Sequence, residues 1–91
     1  MDYLDVHLTS AYKKGFRRAI KRGGHVQSIK VVIDLLRSKK ELPEKYQDHQ
    51  LKGALKDYRE CHIEPNWLLL YKVVDDTLYL AGTGTHADLF E

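Results

Sequence analysis

The apolar residues of this 91-residue chain change their spacing once, near Pro43, and that switch limits the folds open to it. Upstream, Tyr12, Phe16, Ala19 and Ile20 recur at three- and four-residue intervals, and Val26, Ile29, Val32, Ile33 and Leu36 repeat the pattern. Both are stripes of amphipathic helices, predicted over about 10–22 and 25–38, with Thr9 or Ser10 as N-cap and Gly23-Gly24 as the break. Downstream the period falls to two. Tyr58–Ile63 alternates, Trp67–Val74 is nearly continuously apolar, and Thr77–Ala81 follows the Asp75-Asp76 turn. These are three strands, the last two a hairpin. An alternating Asp2–Leu8 adds a strand at the front. The order is β-α-α-β-β-β, an α+β fold in which a helical hairpin covers one face of an antiparallel-dominated sheet.

Length and composition close off other classes. Ninety-one residues bury roughly 60% of the unfolded surface, which is enough for one domain over residues 1–91. With 43% hydrophobic and 31% charged residues the chain is globular, and no apolar run approaches the ~20 residues of a membrane span. The single Cys61 and the absence of a cleavable apolar leader lead us to expect a cytoplasmic protein. The formal charge of +2 is a sum of unlike halves: residues 1–45 hold eleven Lys/Arg against five Asp/Glu, and residues 46–91 four against eight. The helical half therefore carries a basic face (Lys13, Lys14, Arg17, Arg18, Lys21 and Arg22) suited to a polyanion or an acidic partner. Tyr46, Tyr58, Trp67 and Phe90 add rings able to stack on bases.

Three of five histidines, His49, His62 and His86, lie at or near strand ends in the second half. Imidazole gives and takes protons near neutral pH, so three around one pocket suit general acid–base catalysis. The same three would make a zinc triad, although no helical i, i+4 or C-x-x-C spacing supports one. Nucleophile chemistry lacks its motifs: there is no G-x-S-x-G elbow, and Cys61 sits in mid-strand beside His62, on the opposite face. A non-catalytic module that holds nucleic acid or a partner on its basic helices stays open beside the enzyme.

Three segments carry a resemblance: Asp48-His49-Gln50-Leu51, Arg59-Glu60-Cys61-His62-Ile63-Glu64-Pro65-Asn66-Trp67, and Gly84-Thr85-His86-Ala87-Asp88-Leu89-Phe90. In that order they resemble the YafQ group of the RelE superfamily, bacterial toxins of type II toxin–antitoxin systems. The resemblance implies a metal-independent endoribonuclease, without cofactor, that cleaves mRNA on the translating ribosome by 2′-OH attack. It also implies a cognate antitoxin partner. By motif position His86 would be the general acid, His49 or His62 the base or its orienting group, and Phe90 a positioning ring. Arg59, with Lys52 or Lys56, would stabilise phosphorane charge, and Trp67 would contact substrate. Asn66 stands where the family pattern usually has an acid, and Gly82 where it can have a base. Arg59 and His62 are three apart, so an unbroken strand aims them at opposite faces.

Overall fold

The computed structural model describes residues 3–90. Chain order is β1 (Asp5–Leu8), α1 (Ser10–Lys21), α2 (Val26–Arg37), β2 (His49–Gln50), β3 (Arg59–Glu64), β4 (Trp67–Val74), β5 (Thr77–Gly84) and α3 (His86–Phe90). Short 3-10 turns at Glu44–Tyr46 and Gly53–Leu55 flank β2. The expected α+β architecture is present, with β2 and α3 added to it. The strand foreseen from Asp2 begins at Asp5, and Asp2 lies outside the described residues, as does Glu91.

The strands form one sheet in the order β1-β5-β4-β3-β2, with β1 parallel to β5 and every other pairing antiparallel. Period-two alternation then sorts the side chains. Cys61, Ile63, Trp67, Leu69, Tyr71, Leu78 and Leu80 face the helices and form the core with Tyr12, Ala19, Ile29, Val32 and Leu36. Helix α1 packs on β5 and α2 on β3. Burying side chains such as Ile29 and Val32 completely contributes about 1.5–3 kcal/mol each. The approach of α1 is close because Gly15 has no side chain; a Cβ there would collide with the Thr83 carbonyl oxygen. At the start of α1 the Thr9 hydroxyl accepts from the Tyr12 N–H (3.1 Å), and Gly23, at φ 97°, turns the chain out of the helix.

One irregularity matters for the other, open face of the sheet. The β4–β5 register shifts between Leu70 and Tyr71, so that Leu70 pairs with Gly82 while Tyr71 pairs with Leu80. This bulge carries β5 on to Gly84, beyond the Ala81 end expected from sequence. Gly82 and Gly84 then lie beneath α3. A Cβ on Gly82 would stand 3.1 Å from Leu89 Cδ2, and one on Gly84 2.8 Å from Asp88 Cβ. The two glycines make room for a helix rather than loosening the strand.

Candidate active site

The open face brings together two groups of residues on separate banks. On the first, register pairs His49 with Glu60, and His62 with Leu68 of β4. His49 Nε2 stands 3.8 Å from Glu60 Oε1, and His62 Nε2 stands 4.0 Å from the same oxygen. Glu60 is buried, with 8% of its side chain exposed, while half of the His49 ring is open to solvent. His49 Nδ1 lies 2.8 Å from the Gln47 carbonyl oxygen, which can only accept. That contact selects the tautomer with the proton on Nδ1 and leaves the Nε2 lone pair free on the Glu60 side.

The second bank is α3. Five residues are too few to hold a helix in isolation, and this one is held by its start. The Thr85 hydroxyl accepts from the Asp88 N–H (3.1 Å) while the Asp88 carboxylate accepts from the Thr85 N–H (2.9 Å), a reciprocal capping box. Asp88 also reaches α1, at 2.7 Å from Arg22 and 3.5 Å from Arg18. The Thr85 backbone N–H first, and then the Arg22 guanidinium, hold the Asp88 carboxyl down at about 2. Two residues expected on a free basic face thus clamp the C-terminal helix. His86 is exposed on the first turn of α3 with its ring 4.9 Å from that of Phe90, tilted by 48°.

Between the banks runs β4. His62, Leu68 and Gly84 form one cross-strand row, and His49, Glu60, Leu70 and Gly82 the next. Two strand spacings separate His62 from the backbone under α3, about 10 Å, with Leu68 buried and Leu70 half-buried on the floor between them.

Other residues named from sequence stand elsewhere. No irregularity separates Arg59 from His62, so the parity argument holds and Arg59 faces away from the histidines. Its guanidinium is committed to Asp48 (2.9 and 3.4 Å) and to Gln50 Oε1 (3.3 Å), with the Tyr71 hydroxyl also donating to Asp48. Arg59 thereby ties the segment around β2 to β3. Trp67 is a core residue: it is 5% exposed, its indole N–H donates to Thr83 Oγ1 (2.8 Å), and Gly24 abuts its ring. Only its edge, with Arg22, Asn66, Gly84 and Thr85, lines a recess of 400 Å³ beside the start of α3. Asn66 is exposed in the β3–β4 turn, and Lys52 and Lys56 are exposed in the segment after β2. Burial pushes the Cys61 thiol up to about 12, so it stays protonated and inert. Among the described residues no group of three His, Cys, Asp or Glu side chains is placed to hold a metal ion.

Sequence reasoning passed over three contributors. Glu60 carried a signal, because it alternates with His62 and shares its face. Asp88 carried another, the T-x-x-D spacing of a capping box. The Gln47 carbonyl carried none.

A small mixed sheet with α1 and α2 on one face, and with His49, Glu60 and His62 gathered on the other, defines an α+β protein with a candidate acid–base site. The chain belongs to the family of YafQ bacterial toxins of type II toxin–antitoxin systems, whose model matches residues 4–91. It is 40% identical over 87 residues to the mRNA interferase toxin YafQ of Escherichia coli K12, covering 94% of this chain and 95% of that one. It superposes on a copper-bound mutant toxin from Helicobacter pylori with a TM-score of 0.92, at 40% identity over 96% of this chain and 99% of the other. With YafQ in the E. coli DinJ–YafQ toxin–antitoxin complex the TM-score is 0.88, at 39% identity over 98% and 99% of the two chains.

Proposed function

We propose that this chain is the ribonuclease toxin of a toxin–antitoxin pair, cutting mRNA on the translating ribosome in the cytoplasm until a cognate antitoxin binds it. What supports this reading is Glu60, buried with one carboxylate oxygen 3.8 Å from His49 Nε2 and 4.0 Å from His62 Nε2. A cleavable RNA step needs a proton taken from the ribose 2′-OH and another given to the departing 5′-oxygen. The attacking and leaving oxygens are roughly in line through phosphorus, so base and acid stand on opposite sides.

His49 takes the 2′-OH proton at Nε2 as O2′ bonds to phosphorus, and Glu60 stabilises the imidazolium that results. His62, sharing the same carboxylate oxygen, orients the pair and, when protonated, faces the non-bridging oxygens. His86 donates its proton to O5′ as the P–O5′ bond breaks. The products are a 2′,3′-cyclic phosphate and a free 5′-OH. Phe90 holds the His86 ring, Lys52 and Lys56 supply positive charge from the loop after β2, and Asn66 borders the entrance beside α3. Both proton transfers run on imidazole, so this route includes no metal or cofactor step. The exposed basic residues of α1, among them Lys13, Lys14, Arg17 and Lys21, offer an acidic antitoxin segment a complementary surface.

The test is expression of the chain alone, with its antitoxin, and as His86→Ala. Wild type arrests growth and cleaves transcripts in a translating extract, while antitoxin or the substitution relieves both. Equal arrest by wild type and His86→Ala would overturn the assignment.

A further inference from the structure

Beyond the histidines, the same open face carries a second row of side chains that the catalytic steps leave unused. His7 pairs with Tyr79 and Tyr79 with Lys72 in the registers of β1, β5 and β4. Tyr58 precedes Arg59, which pairs with Tyr71, and so stands opposite Lys72. Lys72 Nζ lies 4.9 Å from the centre of the Tyr58 ring and 5.8 Å from that of Tyr79. The His7 ring lies 5.3 Å from Tyr79 on the far side, tilted by 54°. These groups line a shallow recess of 360 Å³, and no carboxylate is among its lining residues. Among the described residues Lys72 has no ion-pair partner.

We propose that the row of Tyr58, Lys72, Tyr79 and His7 is a binding track for the mRNA nucleotides next to the cleaved step. This rests on the ribonuclease reading above and extends it. Rings on which bases stack, with an ammonium between them to meet a phosphate, are the components of a sequence-tolerant single-strand platform. The position agrees with this. Tyr58 and Lys72 are each two residues along their strands from Glu60 and Leu70, about 7 Å, so the row continues the floor that runs between the histidines. An acidic protein segment would be met by the charge but would make little use of two flanking rings. RNA uses both.

Cleavage of mRNA on translating ribosomes tests this, with enzyme titrated under single-turnover conditions. Tyr79→Ala and Lys72→Ala raise the half-saturating enzyme concentration by about tenfold and leave the limiting rate within about twofold. Tyr79→Phe and Lys72→Arg, which keep ring and charge, stay near wild type and exclude misfolding as the cause. An mRNA abasic at one nucleotide beside the cleaved step reproduces the Tyr79→Ala penalty, and the two defects together do not add. Half-saturation unchanged by the alanine variants would overturn the track while leaving the ribonuclease intact. Full additivity with abasic sites at every flanking position would also overturn it, because the ring would then meet something other than an mRNA base. A wild-type protein that cleaves nothing would overturn the ribonuclease reading itself, and the track with it.

Discussion

The two banks of the site are built by different means. His49, Glu60 and His62 sit on paired strands, where register alone fixes which side chains meet. His86 and Phe90 sit on a five-residue helix that has no register and few local bonds, and that depends on Asp88 holding Thr85, Arg22 and Arg18 at once. One bank is placed by the sheet, the other by a single carboxylate. The first should therefore resist perturbation until the sheet itself unfolds. The second can be released while the rest of the molecule stays folded, because local elements with few buried contacts open at lower free energy than the core.

That contrast orders the expected effects. Removing an imidazole from either bank is the largest: His49→Ala and His86→Ala should each reduce single-turnover cleavage by about 10²–10⁴-fold with thermal stability nearly unchanged. Next is Glu60→Gln, expected to reduce the rate by about tenfold or more. The imidazolium formed on His49 then lacks its counter-charge. Single-turnover cleavage by Glu60→Gln at the wild-type rate would show that Glu60 has no part in the step.

Asp88→Ala isolates the second bank. It should lower the cleavage rate by several-fold to about tenfold and speed amide exchange in α3, while exchange in β3 and β4 stays as it was. Acid should act on the same anchor. The Asp88 carboxyl titrates at about 2 when folded, below its ordinary 3.8, so its contribution is complete above about pH 4 and is lost as pH falls towards 2. Exchange measured between pH 4 and pH 2 should show α3 opening before the sheet. Simultaneous opening would remove the distinction between the banks. The smallest catalytic effect is expected from Arg59→Ala, which breaks the tie to Asp48. It should cost about 1 kcal/mol of stability and leave the limiting cleavage rate within about twofold.

The same division explains what could be read from the chain. Alternation and helical spacing are local signals, and they located α1, α2, β3 and β4 to within about a residue or two. Parity along β3 already separated Arg59 from His62 and Cys61 from His62. What escaped depended on non-local pairing. Glu60 becomes a partner of His49 only through the β2–β3 register, and β2 is two residues long, too short to show a period. Helix α3 is likewise shorter than two turns, and its anchor pairs Asp88 with a residue 66 positions away. Trp67 looked like a substrate ring because aromatics on a strand face either side with equal ease. Its direction was settled by Thr83 and Gly24, which lie far from it in the chain.

The central claim is that the imidazoles of the two banks drive attack by the ribose 2′-oxygen. The most direct measurement is cleavage of an mRNA carrying a single 2′-deoxynucleotide on the 5′ side of the cut step, presented on a translating ribosome. The account predicts that this step is not cleaved, while the matching ribonucleotide yields a 2′,3′-cyclic phosphate and a 5′-OH. Cleavage of the deoxy-substituted step at the ribonucleotide rate would contradict it.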